Sequence, residues 1–113
     1  MKPKVLVIVS SGRAEKEKAM TGLMYAVNAT KHGWADVKLI LFGPVEELVA
    51  EGDPDILTML EMFAREKGEA PLACKRIAEM KGYEDRMGQS VRLEYVGKIV
   101  SELIADGYTP LVF

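Results

Sequence analysis

Residues 4–12 read K-V-L-V-I-V-S-S-G. Val5 to Val9 is an unbroken β-branched and apolar run, without the alternation of a strand that has one wet face. Such a run is expected of a strand buried on both sides, as in a parallel sheet with helices on each face. Ser10-Ser11-Gly12 ends it. From Ala14 to about Lys31 the pattern changes period: Ala19, Leu23, Ala26, Val27 and Thr30 recur at helical spacing, and His32-Gly33 supplies a stop.

The same alternation continues outward from this unit. Val37 to Phe42 reads as a second buried strand, closed by Gly43-Pro44, and Pro44 opens a short helix to Ala50. Asp53 is placed to cap a helix that reaches about Lys67, with Ile56, Leu57, Leu60, Met62 and Phe63 as inward candidates and Gly68 as its end. Ala70 to Cys74 is a short third strand and Lys75 to Lys81 a helix. Gly82 to Ser90 is a polar loop with room for a helical turn. Val91 to Val96 is a fourth strand, Gly97 to Ala105 an amphipathic helix, and Thr109 to Phe113 a terminal strand. Strands alternating with helices imply an α/β fold: a five-stranded parallel sheet between two helical layers, joined by right-handed crossovers.

Composition narrows the classes of function. A chain of 113 residues is one domain by length, 1–113, and can bury a core without disulfides or metals. With 49% hydrophobic and 28% charged residues it is globular in composition, and its net charge of -2 offers no basic field for nucleic acid. No apolar run can span a bilayer. Met1-Lys2-Pro3-Lys4 before Val5 to Val9 has the outline of a signal peptide, but the run is too short and no cleavage site follows. A single cysteine cannot close an internal disulfide, and a lone thiol fits a reducing compartment, which points to the cytoplasm.

Ligands of open α/β sheets sit at the carboxyl ends of the strands. Three of those ends carry polar or reactive groups. Cys74 falls where a strand gives way to a helix, followed at once by Lys75 and Arg76. Helix-terminal amides and neighbouring cations favour a thiolate, which is the nucleophilic form. The alternative is a buried structural cysteine, since free cysteine packs as a small hydrophobe. Ser10, Ser11, Gly12 and Arg13 form a small polar turn whose amides could face an anion, with Gly43 at the neighbouring tip. The turn lacks both G-x-G-x-x-G and G-x-x-x-x-G-K-[ST], and an ordinary turn with Arg13 in solvent is the simpler reading. His32, the only histidine, is placed to cap a helix C-terminus. One His and one Cys fall short of a usual metal ligand set, so neither a metal nor a cofactor is expected. Glu46 and Glu47 read as part of a solvated face. Seven methionines, most at helical spacing, read as core or subunit-contact packing, and the crowding of Met59, Leu60, Met62 and Phe63 hints at an oligomer.

Taken in order, K-V-L-V-I-V-S-S-G, then N-A-T-K-H-G, V-K-L-I-L-F-G-P-V, A-P-L-A-C before a helix, and the closing G-K-I-V-S-E-L-I-A-D-G-Y-T-P-L-V-F resemble the DsrE family of small sulfur-relay-like proteins over nearly the whole chain. The resemblance implies a three-layer α/β/α fold on a five-stranded parallel sheet and assembly as a homo-oligomer, a trimer or hexamer. It also implies a cysteine at the third strand's tip that carries sulfur as a persulfide, the position of Cys74. Some relatives carry a second cysteine shortly afterwards. Lys75, Arg76 and Ile77 stand here instead, so no resolving thiol lies nearby.

Two functions follow as expectations. One is a cofactor-free sulfur carrier that takes sulfur from a donor protein and gives it to an acceptor at Cys74, with Lys75 or Arg76 adding positive potential. The other is a binding or assembly module with an inert cysteine, holding an anion or nucleotide-like ligand between Ser10-Ser11-Gly12 and the strand tips.

Overall fold

The computed structural model describes residues 1–113. Five strands, β1 (Lys4–Val9), β2 (Asp36–Leu41), β3 (Leu72–Cys74), β4 (Arg92–Glu94) and β5 (Thr109–Val112), form one sheet in the order β4-β3-β2-β1-β5. Every pairing is parallel, so the expected α/β architecture is borne out. β1 lies inside the sheet between β2 and β5, and its side chains enter apolar clusters on both faces, which is why its sequence shows no wet face.

The helices are α1 (Lys16–Lys31), α2 (Val45–Ala50), α3 (Pro54–Lys67), α4 (Lys75–Lys81), α5 (Glu84–Met87) and α6 (Val96–Ala105), with one 3-10 turn at Arg13–Glu15 before α1. Three of the expected ends have visible causes. Asp53 Oδ1 accepts the Asp55 and Ile56 N–H groups at 3.0 and 3.1 Å, and Pro54 follows in the first helical position, so α3 starts there. Gly68, at φ 87°, turns left-handed and stops it. His32 is the C-cap residue of α1, and its ring stacks on Trp34 with centroids 5.2 Å apart.

The two faces of the sheet are covered unequally. Val5, Val7 and Val9 of β1 and Val37, Leu39 and Leu41 of β2 point into the larger core, against α1, α2 and α3 and the buried Ala78 and Met87 of α4 and α5. The intervening residues Leu6 and Ile40 point the other way, into a smaller cluster with Cys74, Val96 and Tyr108, covered by α6. The chain's path accounts for this. β1 through β4 march in one direction, so right-handed crossovers place the helices after β1, β2 and β3 on one face. The last crossover runs back from β4 to β5 and lays α6 on the other. One helix cannot cover five strands. Val112 remains 64% exposed and Ile104 48% exposed, so apolar surface persists along β5 and α6. No helix is long and apolar enough to cross a membrane.

Candidate functional site

Cys74 is the last residue of β3 and the N-cap of α4, with φ −69° and ψ 112° still extended. It pairs in register with Glu94, the last residue of β4. The connection after β3 turns to the α4–α5 face, whereas the one after β4 turns to the α6 face. Adjacent strands whose connections part in this way open a crevice between their carboxyl ends, the usual ligand position in open sheets. Cys74 sits at that parting. Its side chain is nonetheless buried, 5% exposed, and belongs to the α6-side apolar cluster.

Two cations follow the thiol in the chain. The Lys75 ammonium lies 5.4 Å from the centroid of the Tyr95 ring, and Arg76 is exposed. Tyr95 follows β4 directly, and its hydroxyl donates to the Glu79 carboxylate of α4 at 2.9 Å. Tyr95 therefore ties the start of α6 to α4 across the crevice.

Glu46 is a correction to the sequence reading. It is completely buried on α2 and not part of a solvated face. α2 is covered nearly all round, with Val45, Leu48, Val49 and Ala50 also buried. The carboxyl group lies at the tips of β2 and β3, facing the main-chain N–H groups of Gly43 and Cys74. Neither oxygen meets a donor in good hydrogen-bond geometry. Burial is the largest influence and pushes the Glu46 carboxyl up to about 7, against the smaller opposing pull of the two amides. The sequence did carry a signal for this position. Glu46 stands three residues after Gly43, close enough along a helical turn for its carboxyl group to face the Gly43 main-chain N–H.

The loop after β1 and the loop after β2 are pressed together. A Cβ on Gly12 would come within 2.7 Å of the Pro44 Cβ, and one on Gly43 would strike the Ser10 hydroxyl. The amides of Ser10 and Ser11 are already engaged, donating to the main-chain oxygen of Phe113 at 2.8 and 3.2 Å. Arg13 is paired with Glu51 and, at 3.4 Å, with Glu47. The fold thus brings Ser10, Gly12 and Gly43 together and leaves few free donors among them. Glu46 is the link from this group to Cys74. A shallow depression of about 350 Å³ opens beside it, lined by Gly43, Pro44, Glu47, Ile77, Lys81 and Tyr83. His32 follows α1 at the amino-terminal end of β2, away from the strand tips, and is no partner for the thiol.

No protein-family model and no curated protein matches the chain. Solved structures share its fold, among them two of similar length. One is a conserved protein of unknown function from Bacteroides thetaiotaomicron, BT1422, with a TM-score of 0.80 and 22% identity over 96% of this chain and 94% of that one. The other is the ychN protein from E. coli, with a TM-score of 0.78 and 17% identity over 97% of this chain and 99% of that one. At these identities the likeness is one of fold.

Proposed function

We propose that the protein is a sulfur carrier working through Cys74. The observation that carries this reading is the place of the thiol, at the tip of β3 where the connections of adjacent strands part. The ordered sequence resemblance to the DsrE family, with A-P-L-A-C ending on this residue, supports it. The Cys74 thiolate attacks the outer sulfur of a donor persulfide R–S–SH. The donor S–S bond breaks, R–S⁻ leaves, and Cys74–S–SH forms. An acceptor thiolate then attacks that outer sulfur and releases the Cys74 thiolate. No external oxidant or reductant is needed. With one cysteine in the chain, donor and acceptor thiols must both come from other molecules. A reducing compartment such as the cytoplasm suits this chemistry. The uncovered Ile104 and Val112 are where copies of the chain would meet in a trimer or hexamer.

The test is to incubate the protein with a persulfide donor and weigh it intact. The expected result is an adduct of about 32 Da, one sulfur atom, that is absent from Cys74→Ser. No adduct, or one that survives the substitution, contradicts the reading.

The depression beside Pro44 favours a second reading, a small-ligand module of the same fold in which Cys74 is inert. A thermal-shift panel of anions and nucleotides separates the two. Stabilisation unchanged in Cys74→Ala supports the second.

A further inference from the structure

A separate cleft of about 210 Å³ opens at the other end of the sheet, between β2 and the approach to β3. It exists because β3 is short. β2 pairs with β3 only at Ile40↔Leu72 and Leu41↔Ala73, while β2 itself begins at Asp36. The Asp36 and Phe42 amides donate to Pro3 and Val9, so the even-numbered N–H groups of β2 face β1. Those of Val37 and Leu39 therefore face the gap. No main-chain bond from residues 69–71 closes on them. Both residues are buried, and unpaired amides in such a place call for a partner.

The side chains around the gap fall into two groups. Phe63 on the larger-core side and Leu72, Ile99 and Leu103 on the α6 side make apolar walls. Lys38, Lys67 and Arg92 bring three cations, met by the carboxylates of Glu69, Asp36 and Glu94. Lys67 is held by Asp36 at 3.2 Å, and Arg92 lies 3.6 Å from Glu94. Lys38, half-buried, is in no ion pair.

We propose that this cleft binds a small apolar carboxylate. The acid group takes the Leu39 N–H and the Lys38 ammonium, and a branched hydrocarbon body lies against Phe63, Ile99 and Leu103. The Lys38 ammonium, in no ion pair, repels an ammonium placed beside the ligand's acid group, which favours an anion over a zwitterion. The volume, below the roughly 300–1,000 Å³ of pockets for drug-sized ligands, limits the body to a few carbons. Cys74 lies at the opposite end of β3 and lines no part of the cleft, although Leu72, Ile99 and Leu103 pack against its cluster as well.

The test is a titration of 15N-labelled protein with 4-methylpentanoate, its amide 4-methylpentanamide, and leucine. Expected is saturable movement of the Val37 and Leu39 amide resonances with 4-methylpentanoate, with a Kd of about 0.1–1 mM. The amide and leucine should bind at least about tenfold more weakly, because each loses or opposes a charge-assisted contact. Lys38→Met keeps the apolar stem and should weaken the carboxylate by about tenfold, whereas Cys74→Ser should leave it unchanged. Amide and carboxylate binding equally well would overturn the proposal. So would unmoved Val37 and Leu39 resonances at saturating ligand, which would leave the cleft to water. The wild-type titration decides the matter even if Lys38→Met fails to fold.

Discussion

The Glu46 carboxyl group faces the main-chain N–H of Cys74, so the residue that ends β3 is held against a buried acid from α2. Neither oxygen of that acid has a well-formed hydrogen bond, and its affinity for a proton is set chiefly by burial. Glu46 in turn joins the loop after β2 to the cysteine.

This burial makes stability depend on pH. Glu46 moves from an ordinary value of 4.5 to about 7 on folding, so the folded protein holds the proton more tightly. The resulting contribution is complete below about 4.5, falls across the window to 7, and is lost above it. Denaturant unfolding at pH 5 and pH 8 should show wild type losing about 2–3 kcal/mol more than Glu46→Gln over that interval. Equal pH dependence of the two proteins would mean that Glu46 is hydrated.

Gly43 should tolerate no side chain. Its φ of 143° lies where side chains are rarely found, and a Cβ would meet the Ser10 hydroxyl. Gly43→Ala should cost about 2–3 kcal/mol in urea unfolding. Gly68→Ala, also at positive φ but facing open space, should cost only about 1 kcal/mol. Equal losses at the two sites would show that the Ser10 contact adds nothing.

The Tyr108 hydroxyl donates to Asp36 at 2.8 Å and, with Lys67, holds that carboxyl below its usual range. Tyr108→Phe should raise the Asp36 titration midpoint, read by NMR, and cost about 1–2 kcal/mol at neutral pH. A lowered carboxyl stabilises the fold above its ordinary range and loses that effect as pH falls through its folded midpoint. The gap between wild type and variant should therefore narrow in acid.

Tyr95 ties α6 to α4 through Glu79, across the crevice that holds Cys74. Tyr95→Ala should free that end of α6 and speed alkylation of Cys74 several-fold, with global stability little changed. An unchanged rate would mean that Tyr95 does not limit access to the thiol.

Most of the architecture was legible in residue patterns, for reasons visible in particular elements. Val5 to Val9 is apolar throughout because β5 and β2 flank it and both faces are covered. Asp53-Pro54 and Gly68 mark the ends of α3 by local chemistry that packing does not override. Residue patterns make the third and fourth strands longer than they are. Leu72–Cys74 and Arg92–Glu94 keep only three residues each, and the open cleft beside β2 is a consequence that no local pattern shows. A glutamate beside a glutamate is ordinarily solvated, so residue pattern alone puts Glu46 on the surface. Its burial comes from α5 packing on α2 and from the Cys74 main chain beside its carboxyl group, contacts between segments distant in the chain. Cys74 could be placed at the strand tip, but its burial depends on α6, which arrives from the far side of the sheet.

The central claim is that Cys74 works as a thiol although its side chain is 5% exposed. The most direct measurement compares its rate of alkylation in the native protein with the rate of global unfolding under the same conditions. A working thiol should be reached through local opening of the crevice, at least about tenfold faster than the chain unfolds. Alkylation that only keeps pace with unfolding would make Cys74 a packing residue and would contradict the sulfur-carrier reading.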